Sequence, residues 1–175
     1  MNTKNLVALS LLVGMGAVLH AVVPGFINGM KPDMMLTMMF LGIILFPDKK
    51  SVLLLGIVTG LISGLTTTFP GGLVPNIIDK PISAFLFFGM FLVLKKFQNS
   101  IISVGILTAI GTMISGTVFL TSALLLVGLP IPFTALFIGV VLPATALNTI
   151  MMVFLYPVAG TIVKRTKLTT QTHRI

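Results

Sequence analysis

The sequence predicts an all-α membrane protein of six transmembrane helices with both termini in the cytoplasm. Three observations carry this. Apolar residues fill 56% of 175 positions and charged residues 8%, far from the balance of a soluble domain. The apolar residues fall into six runs cut by short charge or Pro/Gly clusters. The basic residues gather on one side of those runs, which is how membrane proteins fix their orientation.

Taken in order, the runs cover residues 5–23, 32–46, 51–69, 81–94, 101–126 and 133–163, within one transmembrane domain spanning 1–175. The first is long for a signal-peptide core and has no A-x-A site after it, so it stays as the first helix. It carries a small-x-x-x-small pair, Ser10 and Gly14. The second and fourth are short: about fifteen residues reach only ~22 Å of a ~30 Å hydrocarbon core, so their outer ends should lie below the membrane surface. Both open on Lys-Pro, at Lys31-Pro32 and Lys80-Pro81, and proline at a first helical position is a start signal. The third carries Gly56, Gly60 and Gly64, two successive G-x-x-x-G steps that more often pack a protein's own helices than a partner. The sixth run is overlong and contains Pro143 and Pro157, which predicts a kink or a partly helical outer loop before it.

Six spans put both termini on one side. That side holds Lys4, Lys49, Lys50, Lys95, Lys96, Lys164, Arg165, Lys167 and Arg174, offset only by Asp48. The other side holds Lys31, Lys80, Asp33 and Asp79, which cancel. The first side is therefore cytoplasmic. Because the basic clusters lie between apolar runs, nucleic acid is not an expected partner and the lipid bilayer is. The chain has no cysteine, which excludes disulfides and thiolate metal sites.

Counting up each helix from its cytoplasmic end, His20, Lys31, Thr66, Asp79, Lys80, Ser115, Thr117 and Asn148 each lie roughly fifteen positions in, at ~20–25 Å. A polar layer at one depth is what an outward-facing cavity requires. Two readings of its charges stand side by side. They form structural ion pairs, Lys31 with Asp33 or Asp79 and Lys80 with the remaining acid. Alternatively they bind a zwitterion, the positive ends of the second and fourth helices assisting with its carboxylate. His20 reads most simply as a hydrogen-bonded packing residue, Asn148 as a helix linker or a ligand group, and Met30, Met34, Met35, Met38 and Met39 as adaptable packing. No H-E-x-x-H, Walker A or G-x-S-x-G run occurs, so the sequence predicts no enzyme, no cofactor and no metal.

The runs Gly29-Met30-Lys31-Pro32-Asp33-Met34-Met35 and Pro75-Asn76-Ile77-Ile78-Asp79-Lys80-Pro81-Ile82-Ser83-Ala84-Phe85-Leu86-Phe87-Phe88 resemble the bacterial tryptophan-transporter family TrpP, and the resemblance extends over nearly the whole chain. That family in turn looks like the substrate-binding S components of energy-coupling factor transporters, which implies an S-component-like six-helix bundle. The resemblance implies tryptophan import with the polar layer as binding site: Lys31 or Lys80 for the carboxylate, Asp33 or Asp79 for the ammonium, Asn148 as a further polar group, and Phe26, Phe69 and methionines against the indole. Asn76, Thr117 and His20 complete the candidate set. The S-component likeness also implies a coupling subunit and ATPases docked on small residues of the first helix, where Ser10 and Gly14 match and the usual alanine-rich pattern is thin. Competing readings are an S component for a vitamin such as thiamine or biotin, and a substrate-free membrane scaffold whose ion pairs fill the layer.

Overall fold

The structure, a computed structural model, describes residues 3–22, 33–94 and 100–165, without the side chains of 164 and 165. The described secondary structure is helical: α1 (Thr3–Val22), α2 (Met34–Leu45), α3 (Lys49–Thr66), α4 (Leu73–Val93), α5 (Ile101–Leu126), α6 (Phe133–Leu136), a π-helical turn (Phe137–Val141) and α7 (Leu142–Arg165). The last three run on without a break, giving six rods. Five of these are long and apolar enough to cross a membrane. Their outward faces carry large apolar side chains, Leu65, Val93 and Leu125 being 74%, 83% and 77% exposed. Such exposure is costly in water and free in lipid.

The exception is α2, twelve residues long and ~18 Å at helical rise. Every one of its residues is buried, and α1, α3, α4, α5 and α7 pack around it. A helix apolar on all sides has no solvent face to offer, so it takes the centre of the bundle. Met34, Met35, Met38 and Met39 are at most 2% exposed and belong to this core, which is the packing role. Met30 lies outside the described residues. Asp33 caps the helix, its Oδ1 accepting from Leu36 N at 2.9 Å. Asp48 caps α3 in the same way through Ser51 N at 3.0 Å.

The glycine stripe of α3 is spent inside the chain. A Cβ on Gly56 would lie 2.8 Å from Pro81 Cα, one on Gly60 3.1 Å from Asn76 O, and one on Gly64 2.9 Å from Leu73 O. α3 and α4 therefore meet backbone to backbone. Gly56→Leu should force them apart and destabilise the fold by roughly 1–3 kcal/mol. Thermal unfolding in detergent micelles reads this directly, and an unchanged midpoint would show that the contact carries no weight.

Two features differ from the sequence expectation. α4 begins at Leu73, eight residues before Pro81, which lies inside the helix. Pro81 has no N–H to give Ile77 O, but the missing bond is tolerated where Gly56 lets α3 press against the proline backbone. In the final rod the irregularity is a π turn in which Leu142 N donates to Phe137 O, directly ahead of Pro143. Gly116 of α5 admits this turn, since a Cβ there would collide with Val141.

Candidate functional site

Residues 79, 83 and 87 follow one another up a single face of α4 at helical spacing. Asp79 is completely buried, and its two oxygens are filled: Ser83 Oγ donates to Oδ1 at 2.6 Å, while Ser115 Oγ of α5 and Lys80 Nζ donate to Oδ2, both at 2.8 Å. Lys80 Nζ also reaches Asp33 Oδ2 at 3.1 Å. One ammonium thus bridges two carboxylates drawn from α4 and from the cap of α2. The two acids differ in access: the Asp33 side chain is 29% exposed and that of Asp79 is 0%. Two turns towards the other end of the bundle, Phe87 stacks on Phe40 of α2 with ring centroids 4.0 Å apart, an apolar floor beneath the charges.

Asn148 of α7 ties the cap of α2 and the middle of α5 to the last rod. Its Oδ1 accepts from Asp33 N at 2.7 Å and its Nδ2 points to Thr112 Oγ1 at 3.4 Å. With both oxygens of Asp33 and of Asp79 partnered, the charges cost far less than the ~2.5–3.5 kcal/mol of an unpaired one in hydrocarbon. Among the described residues the cluster still holds two carboxylates against one ammonium, an excess of one negative charge.

Above the charges opens a cavity of about 410 Å³. That is within the range of about 300–1,000 Å³ that small-molecule sites occupy. Its base is Asp33, Asp79, Lys80 and Asn148; its far wall is apolar, with Leu120, Leu136, Val140 and Val141. Residues 67–70 close one side, where Phe69 meets Phe119 edge to face at 5.3 Å. Gly71 (φ 69°) turns this loop and sits against Val127, so close that any larger residue would collide.

Seven of the predicted residues, His20, Asp33, Phe69, Asn76, Asp79, Lys80 and Asn148, line this one cavity. Thr117 does not. It is exposed, its hydroxyl donates to Met113 O, and it faces a shallow apolar groove on the other side of α5. Thr66 is likewise exposed and bonded to Ile62 O. Lys31 and Phe26 lie outside the described residues, so the ion pairing that is seen gives both acids to Lys80. The helix-dipole reading fails in both places: Asp33 itself occupies the positive end of α2, and α4 starts two turns before Lys80. Ser63, Ser83, Thr112 and Phe119 join the site without having been singled out. The Asp79/Ser83 spacing of four was the one signal in the sequence for any of them. Ser10 and Gly14 are exposed on α1, with nothing within 4 Å of where a Gly14 Cβ would stand.

Residues 2–164 match the family described as tryptophan transporter TrpP. The chain belongs to that family. It is 58% identical over 165 residues to a "Probable tryptophan transport protein" of Bacillus subtilis (strain 168), covering 94% of this chain and 95% of the relative. Proteins of the same description from Clostridium acetobutylicum and Clostridium perfringens are 47% and 36% identical, over 86% and 95% of this chain and 88% and 97% of theirs. No solved structure matches the chain. In this TrpP member the bridged charges and the aromatic rim therefore lie within the matched region, at opposite ends of one cavity.

Proposed function

We propose that this chain is a multi-pass importer of the bacterial cell membrane that binds tryptophan in the cavity, opening to the outside, with both termini cytoplasmic. The observation that supports the reading best is the joining, in one cavity, of the Asp33–Lys80–Asp79 bridge to an apolar, aromatic wall. A zwitterion needs both signs of charge within a few ångströms, and an indole needs a dry, polarisable surface. Asp33, the accessible acid, takes the ammonium; Lys80, with Asn148 and Thr112 beside it, takes the carboxylate. Asp79 lies too deep to meet substrate and instead positions Lys80.

Equilibrium binding of tritiated tryptophan to the purified protein tests this. Saturable binding, unchanged within about twofold in Thr117→Ala, is expected; its absence, with a thermal shift by thiamine or biotin instead, would replace tryptophan by a vitamin. The exposed Ser10/Gly14 face of α1 is the surface that the S-component likeness would give to a coupling subunit and its ATPases. Proteoliposomes containing this chain alone should then bind tryptophan without accumulating it. Accumulation under a proton gradient would remove those partners from the proposal.

A further inference from the structure

Hydroxyls on the helices of this protein follow a habit. Ser10, Thr37, Thr66, Thr108, Thr117, Thr145, Thr149 and Thr161 each donate to the carbonyl four residues back. Two hydroxyls of α3 have no such bond and no other: Thr59 Oγ1 and Ser63 Oγ are buried with no hydrogen-bond partner. Thr59 is fully enclosed, whereas Ser63 is 6% exposed and lines the cavity. A buried polar group without a partner is rare, and a serine at a cavity wall can turn its free hydroxyl about χ1 to meet a ligand there.

Its height in the bundle is given by the glycine stripe. Gly60 packs against Asn76, Ile77 and Lys80, and Gly64 against Leu73. Ser63, one residue before Gly64, therefore stands level with the start of α4, about one and a half turns or ~8 Å along the axis beyond the Lys80 backbone, on the aromatic side of the charges. A substrate whose charged end rests on Lys80 and Asp33 brings the five-membered ring of an indole to that level. The indole N–H is a donor with no acceptor capacity, and a dry site must give it an oxygen. Nearby oxygens are engaged or less suited: Thr67 Oγ1 already accepts from Phe69 N at 3.1 Å, and the Asn76 amide is turned towards Gly72 O, to which its Nδ2 donates at 2.8 Å.

We infer that Ser63 Oγ accepts the indole N–H and so sets the preference of this site for tryptophan over ring systems that lack the donor. The inference rests on the tryptophan reading. It is tested by competition binding on the purified full chain, with tryptophan and with 3-benzothienylalanine, in which sulfur replaces the N–H. A site built to receive a hydrogen bond discriminates strongly against an analogue without it, so the wild type should prefer tryptophan by about tenfold or more. Ser63→Ala should weaken tryptophan about tenfold, leave the sulfur analogue within about twofold, and bring the preference close to one. The ligand-free melting point should not fall, because alanine removes an orphan hydroxyl. Should Ser63→Ala fail to fold, Ser63→Cys, with its weak sulfur acceptor, should still reduce the preference at least about threefold. A preference that survives in either variant, or a wild type that binds both compounds equally, overturns this inference alone. A wild type that binds neither overturns the tryptophan reading and this inference together.

Discussion

Replacing Lys80 by methionine should unfold the protein or bring it close to unfolding. The side chain is 4% exposed and is the ammonium that both acids share, so its loss leaves Asp79 fully buried with a charge and no counterion. Removing one partner of a buried ion pair costs roughly 3–5 kcal/mol, a large part of the ~5–15 kcal/mol by which a domain is stable. The second half of the expectation separates structure from binding. Adding Asp79→Asn to Lys80→Met removes the stranded charge, keeps an acceptor for Ser83 and Ser115, and should restore most of the lost melting temperature. Tryptophan binding should remain at least about a hundredfold down in the double variant, since the group that meets the carboxylate is gone; a factor of a hundred is ~2.7 kcal/mol, within what a charge-assisted hydrogen bond carries. Recovery of both properties together would reduce Lys80 to a structural counterion and move the carboxylate's partner elsewhere in the cavity.

Asp33→Asn should spare the fold and weaken binding. Asparagine caps a helix as well as aspartate, so the bond from Leu36 N survives and α2 keeps its start. Asp79 remains to hold Lys80. The melting midpoint should therefore move little, while tryptophan affinity falls about a hundredfold with the loss of the accessible partner for its ammonium. Indole-3-propionate, which lacks that ammonium, supplies the sign of the effect. It should bind the wild type poorly, facing an excess negative charge, and bind Asp33→Asn better. Equal losses for both ligands would mean that Asp33 shapes the cavity without touching the ammonium.

How far the site was legible in the sequence depends on which coordinate is asked for. Helix count follows from hydropathy, and the brevity of α2 was visible in the length of its apolar run. Depth was legible too, because counting residues gives height. Azimuth was not: Ser115 and Thr117 share a level, yet two residues turn a helix by ~200°, so Ser115 meets Asp79 and Thr117 faces away. Pro81 misled for a different reason. A proline after a charged pair reads as a helix start, but Asp79 and Lys80 are paired to each other, to Asp33 and to α5, which lets them sit well inside a helix where unpaired charges would end it. Ser63 was silent because a single serine among glycines carries no signal until its neighbours are seen to leave it without a partner.

The enclosure of α2 fixes the order in which this site can come into being during synthesis. Asp33 and Lys80 are 47 positions apart, with all of α3 between them. When α2 leaves the ribosome, the chain has made neither the lysine that will neutralise its cap nor the α4, α5 and α7 that will surround it. The Asp33–Lys80 pair can form only once α4 has arrived. Binding competence is thus a late property of the nascent chain, because the cavity also needs walls from α5 and α7.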